Sequence, residues 1–286
     1  MEIIRQPRAL QDGLGKLRMQ GRTIGFVPTM GALHEGHLTL LKAAREENDL
    51  LVASIFVNPL QFGPEEDFQR YPRDMEGDTE KLRASGVDML FLPDALSIYP
   101  EGFSTSVAVK GLSEKLCGAF RPGHFAGVST VVTKLLNLAG PTRAYFGQKD
   151  YAQCLIIKRL VRDLNMDVEI VMCPTLREAD GLAMSSRNRY LSPEERKAAG
   201  AIFKCLKGGE EKIKSGASDA GAIKTLMWEV LRSEPLIREV QYASAYDPET
   251  LDELTEPKKG GAALLLAVAV RIGDVRLIDN IIVSVS

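Results

Sequence analysis

The chain has 286 residues, 45% hydrophobic and 26% charged, the make-up of a globular protein with one large core and room for a smaller second domain. Its 36 Lys and Arg against 38 Asp and Glu give a formal net charge of −2, so no overall positive field exists for a nucleic-acid backbone or an anionic membrane, and a small-molecule partner is expected. Cys117, Cys154, Cys173 and Cys205 form no C-x-x-C pair, which argues against a zinc knuckle or disulfide framework and for reduced thiols in a cytoplasmic protein.

The N-terminal stretch carries Arg5, Arg8, Asp12, Lys16 and Arg18 without an apolar block, so no secretory leader is expected. Strands are then predicted over residues 23–28, 50–57, 89–92, 144–147 and 168–173. Helical spacing falls between them, over 37–47, 74–84, 128–138 and 151–164. This alternation predicts an α/β fold with a Rossmann-like parallel sheet. Residues 174–189 are too polar for core, and Ser192-Pro193-Glu194-Glu195 reads as a helix start.

Helices over 193–207 and 219–232 and strands over 240–246, 263–272 and 276–285 then predict a smaller C-terminal α+β domain. The expected division is 1–176 as the Rossmann-like domain, 177–187 as connecting loop and 188–286 as the C-terminal domain. Gly273-Asp274 suggests a tight hairpin. The longest apolar run, 262–270 after a Gly-Gly turn, is far short of the roughly 20 residues of a membrane span and reads as a buried strand.

Met30-Gly31-Ala32-Leu33-His34-Glu35-Gly36-His37 lies between the first predicted strand and helix, where open α/β sheets bind ligands. His34 and His37, three apart, would share one helix face, Gly36 would admit a ligand to the backbone, and helix-start amides would attract anions. Rings donating to phosphate oxygens could stabilise the charge of departing pyrophosphate. Two such histidines are often mere surface or cap residues. Here, however, two of the chain's three histidines fall in one motif beside a glycine and a strand, and no third zinc ligand is near.

A second loop, Gly147-Gln148-Lys149-Asp150, follows a strand and opens a helix; Lys149 can approach phosphate, and Asp150 can hold a ribose hydroxyl or simply cap the helix. A third, Met184-Ser185-Ser186-Arg187, supplies two hydroxyls and a fixed cation and could close over a triphosphate or be a solvated linker.

These segments, with 54–62 around Gln61, Arg121-Pro122-Gly123-His124-Phe125 and Arg276-Leu277-Ile278-Asp279-Asn280, resemble the pantothenate synthetase family nearly end to end. His-x-Gly-His itself resembles the nucleotidyltransferase superfamily. The family resemblance implies ATP-dependent joining of (R)-pantoate to β-alanine through pantoyl adenylate, with Mg2+ carried mainly by phosphates. It implies ATP contacts at Met30 to His37, at Gly147, Gln148, Lys149 and Asp150, at Leu176 beside adenine, and at Met184, Ser185, Ser186 and Arg187. Catalytic roles fall to His37, as proton donor, and to His34, Lys149, Ser185, Ser186 and Arg187; Gln61 and Gln153 would bind pantoate, and Gln61 also β-alanine.

Asn58 and Tyr71 would line the site, while Arg121 and His124 could touch substrate or order a turn. Ala152 departs from relatives that carry glutamine there and could loosen local hydrogen bonding. Cys117 and Cys154 read as buried structural thiols. A cytoplasmic homodimer is expected. The alternatives are an adenylyltransferase acting on a phosphate ester, which the neutral Gln61 and Gln153 disfavour, and a nonenzymatic nucleotide sensor.

Overall fold

The computed structural model describes residues 1–215, 219–255 and 263–284. Its strands are β1 (Glu2–Ile4), β2 (Ile24–Thr29), β3 (Leu50–Ile55), β4 (Met89–Phe91), β5 (Arg143–Gly147), β6 (Glu169–Cys173), β7 (Ile237–Tyr246), β8 (Ala263–Ile272) and β9 (Val275–Ser284). Its α-helices are α1 (Pro7–Met19), α2 (Glu35–Glu47), α3 (Met75–Ala84), α4 (Ala95–Ile98), α5 (Cys117–Phe120), α6 (His124–Ala139), α7 (Tyr151–Asp163), α8 (Pro193–Ala198), α9 (Gly200–Lys214) and α10 (Ala220–Arg232). They divide between two compact units.

The first unit comprises Met1–Glu114, Arg121–Gln148 and Gln153–Pro174. Its sheet runs β1-β4-β3-β2-β5-β6 and every neighbouring pair is parallel. Residues of β2 and β3 are buried almost without a break, as expected for strands covered on both faces. Phe26 and Val52 pack with Leu10 and Leu14 of α1 and Val128, Val132 and Leu135 of α6. Their strand neighbours Val27, Leu51 and Ala53 pack instead with Leu40, Leu41 and Ala44 of α2 and Leu82 of α3. The period-two alternation of strand side chains therefore assigns each helix its face. From β2 the chain continues to β3 on one side, while β5 pairs on the other. This is the point of reversal where α/β sheets open a crevice beyond their strand ends.

The second unit comprises Lys115–Phe120, Lys149–Ala152 and Thr175–Ser286. Its sheet, β7-β8-β9, is antiparallel, and Leu264, Leu266, Val268 and Val270 of β8 share a core with Ile202 and Leu206 of α9 and Ile223 and Met227 of α10. Gly273-Asp274 makes the expected two-residue hairpin: Ile272 pairs with Val275, and Gly273 takes φ +55°. The single helix predicted over 193–207 is divided into α8 and α9, with Ser192 and Glu195 forming a reciprocal N-terminal cap on α8. The Gly260-Gly261 turn, Ala262 and Val285 lie outside the described residues. Among the described residues no helix is long and apolar enough to cross a membrane.

Candidate active site

The loop after β2 is held by an acid that the linear reading did not single out. Asp78 of α3, 1% exposed, accepts the backbone N–H groups of Ala32 and Leu33, both at 2.7 Å. Lys81, one turn later, donates to the Leu33 carbonyl at 2.9 Å. Gly31 and Ala32 have φ of +81° and +51°, a left-handed pair that turns the chain out of the sheet. That backbone is costly for Ala32, so the Asp78 bonds must sustain it. A Cβ on Gly31 would stand 3.0 Å from Asp78 Oδ2 and 3.1 Å from Ile55 Cγ2, so glycine lets the loop close on its anchor.

His34 is not on the helix face with His37, as the spacing suggested. It is the N-cap of α2, with extended backbone at φ −135° and ψ 173°. The rings nevertheless meet, their centroids 4.2 Å apart, through a reciprocal cap. Gly36 N–H donates to His34 Nδ1 at 3.1 Å, and His34 N–H donates to His37 Nδ1 at 3.3 Å. Because both Nδ1 atoms accept, each neutral ring carries its proton on Nε2. The expected anion-attracting amides of this helix start are largely engaged: those of His37 and Leu38 donate to the His34 carbonyl at 2.7 and 3.2 Å.

Gln61, 9% exposed, ends a short 3-10 turn, Pro59–Gln61, after β3. Its Oε1 accepts from Asn58 Nδ2 at 3.1 Å, and its Nε2 donates to Met30 Sδ at 3.0 Å. Asn58 is buried; its Nδ2 also donates to the Gly127 carbonyl and its Oδ1 accepts from Tyr99. Burial raises the Tyr99 phenol, keeping it a neutral donor. Gly127 of α6 is required for this packing, since a Cβ there would collide with the carbonyl of Leu60.

Arg121 and His124 grip the same turn. Arg121 donates to both Glu66 carboxylate oxygens, at 2.6 and 2.5 Å, and to the Gln61 carbonyl at 3.2 Å. Since arginine only donates, His124 Nε2 accepts from Arg121 at 3.0 Å, and His124 Nδ1–H donates to the Gln61 carbonyl at 2.9 Å. Burial works to raise Glu66, but the Arg121 bonds prevail and hold its carboxyl below the ordinary value. Tyr71, also buried, meets the Phe62 ring edge-on at 5.9 Å. Gln153 is half-buried on α7, and the neighbouring Ala152 is buried as a methyl group with no side-chain polar atom to satisfy.

Gly147 and Gln148 stand at the carboxyl end of β5, adjacent to β2. In the second unit, Lys149 Nζ lies 3.7 Å from Asp150 Oδ2 and the Lys149 carbonyl accepts from Asn280 Nδ2 at 2.9 Å. Met184 N–H donates to the Leu176 carbonyl at 3.0 Å, so the residue expected beside adenine faces the start of the Met-Ser-Ser-Arg segment. Ser185 caps the 3-10 turn Ser186–Tyr190: its Oγ accepts Arg187 N–H at 3.3 Å, leaving the hydroxyl proton as a donor.

The reading of 174–189 as too polar for core is corrected here. Leu182 and Ala183 are buried, and Leu182 joins the second unit's core. The polar residues brace one another: Glu178 accepts from Asn188 at 2.8 Å and from Arg196 at 2.6 Å, and Arg177 pairs with the buried Asp279. All four cysteines are buried, and burial pushes the Cys205 thiol up to about 12, consistent with a packing role.

Sequence reasoning missed Asp78, Lys81, Glu66 and Gly127. For Asp78 a signal existed: it lies four residues before Leu82, a lone acid on the buried stripe of α3. Glu66 and Gly127 carry no comparable local mark.

An all-parallel sheet whose switch-point loop ends in a His-x-Gly-His helix cap defines a Rossmann-like α/β protein. The family described as pantoate-beta-alanine ligase matches residues 2–282, and the chain belongs to it. A pantothenate synthetase of Thermodesulfovibrio yellowstonii is 59% identical over 284 residues, spanning 99% of this chain and 100% of its own. The crystal structure of pantothenate synthetase from Thermus thermophilus superposes with a TM-score of 0.91 at 48% identity, over 98% of this chain and 99% of that one. That of pantoate-beta-alanine ligase from Francisella tularensis, complexed with beta-gamma ATP and beta-alanine, gives 0.80 at 35% identity, over 98% and 97%.

Proposed function

We propose that this chain condenses (R)-pantoate with β-alanine at the expense of ATP, giving pantothenate, AMP and diphosphate by way of pantoyl adenylate. The observation that carries the reading is the reciprocal cap of His34 and His37, which fixes both rings beyond the carboxyl end of β2 and assigns the proton of each neutral ring to Nε2. The Francisella relative, by its description, binds ATP and β-alanine, the two co-substrates this reading requires besides pantoate.

A pantoate carboxylate oxygen attacks the α-phosphorus, and the bond from that phosphorus to the bridging oxygen breaks as pyrophosphate leaves. His34 and His37 donate to phosphate oxygens as that charge grows, the kind of stabilisation that accelerates the step. Lys149 adds a point charge, and Ser185, Ser186 and Arg187 supply hydroxyls and a fixed cation. Met30, Gly31, Ala32, Leu33, Glu35, Gly36, Gly147, Gln148, Asp150, Leu176 and Met184 complete the ATP contacts. The β-alanine amine then attacks the acyl carbon and AMP departs as a stable leaving group.

Gln61 and Gln153 serve the hydroxyl and carboxylate of pantoate without adding buried charge, and Gln61 also serves β-alanine. Arg121 and His124 act by ordering the Gln61 turn, which their bonds to its carbonyl support. Among the described residues, no three His, Cys, Asp or Glu side chains gather to hold a metal ion. Mg2+ would enter on the triphosphate, held mainly by phosphates and water, and neutralise part of its charge. The expected division at 176 and 187 shifts with the structure, since the second unit takes in residues from 175 onward and Leu182 of the expected connector lies in its core; a cytoplasmic homodimer is the working form.

The test is product analysis of the purified chain with MgATP, pantoate and β-alanine. Equal amounts of pantothenate and AMP are expected. Formation of ADP, or AMP retained on a phosphate-ester acceptor, would contradict the reading.

A further inference from the structure

Two consecutive side chains in the middle of β9 are polar and buried: Asp279 is 2% exposed and Asn280 3%. Each pairs in register with β8, Asp279 opposite Val268 and Asn280 opposite Ala267, in a sheet whose other buried positions are mostly apolar. Apolar residues would stabilise such a strand at least as well, because a buried ion pair seldom repays its desolvation. Consecutive strand residues project to opposite faces, so these two can serve different segments.

Asn280 Nδ2 donates to the Lys149 carbonyl at 2.9 Å, and Asn280 N–H donates to Asp279 Oδ1 at 2.7 Å. Asp279 takes both ends of the Arg177 guanidinium, at 2.5 and 3.0 Å. Arg177 also donates to the carbonyls of Asn280 at 3.2 Å and Gly181 at 3.0 Å, and stacks 4.4 Å over the Phe203 ring. Arg177 adjoins Leu176, whose carbonyl holds Met184.

We infer that Asp279 and Asn280 are positioning residues for ATP: one strand fixes the Lys149 turn through Asn280 and the Leu176–Arg187 segment through Asp279 and Arg177. The inference rests on the proposed roles of Lys149 and the Met-Ser-Ser-Arg segment. It adds that their mutual placement is set by this buried pair.

A double-mutant cycle between Asn280→Ala and Lys149→Ala tests it, read as kcat/KM for ATP together with the KM for pantoate and the urea midpoint. Asn280→Ala is expected to lower kcat/KM for ATP about 10-fold or more while the pantoate KM stays within about 2-fold, and to cost almost nothing further in the Lys149→Ala background. If the two factors multiply, Asn280 does not act through Lys149 and the inference is overturned. If Lys149→Ala alone leaves kcat/KM for ATP unchanged, the role of Lys149 falls and the inference with it. Should Asn280→Ala fail to fold, Asn280→Leu, near in volume but without the donor, is read in the same cycle with the same two outcomes.

Discussion

Asp78 accepts the backbone N–H of Ala32 at 2.7 Å across 46 residues of sequence, and so holds in a left-handed conformation the loop that delivers His34 and His37. A carboxylate that is 1% exposed and binds two amides fixes a loop more rigidly than solvent-exposed turn bonds could. Asp78→Ala should leave both amides unsatisfied and destabilise the protein by about 2 kcal/mol or more. It should also lower kcat/KM for ATP. Urea denaturation beside steady-state kinetics checks this, and a stable variant with wild-type ATP kinetics would show that the loop needs no such anchor.

His37→Ala should lower kcat by roughly 10²-fold, the usual cost of losing one donor to developing charge. Because His37 Nδ1 also caps α2, a loss of about 1 kcal/mol in stability should accompany it. Single-turnover adenylate formation and thermal unfolding measure the two effects separately. Unchanged turnover would remove His37 from the chemistry.

Gly127→Ala tests the seat of Gln61. The new methyl group must push the Pro59–Gln61 turn off α6, at a cost of about 1–3 kcal/mol. The KM values for pantoate and β-alanine should rise several-fold while that for ATP changes little. Equal increases for all three would place the effect in the fold as a whole.

The helix-turn histidines, the strands around them and the Gly273-Asp274 hairpin were legible because each is written locally, in an apolar run beside a turn signal. The reciprocal cap was not, since spacing alone puts His34 on a helix face while the backbone makes it the N-cap. α1 escaped because Gly13 and Gly15 weaken its helical propensity. Leu10 and Leu14, one turn apart and fully buried, override that weakness by packing with α6. The three-residue β1 is too short to show a period. The Arg121–Glu66 pair and the Asn280–Lys149 bond join residues 55 and 131 positions apart, distances at which only the folded chain supplies the partner.

Glu66 gives a pH-dependent prediction. Its carboxyl lies below the ordinary 4.5 in the folded state, so its contribution is fully present above pH 4.5 and is lost as pH falls through the lower folded value. The stability difference between wild type and Glu66→Gln should therefore be constant near neutrality and shrink in acid below pH 4.5. Chemical denaturation from pH 7 down to about 3 reads it. A difference that grows in acid would contradict the sign.

The central claim is that the chain activates a carboxylate as its adenylate, and labelled pyrophosphate exchange into ATP isolates that step. With Mg2+ present and β-alanine omitted, exchange should appear when pantoate is added and be absent without it. Exchange independent of pantoate, or none from folded protein with pantoate present, would contradict the account.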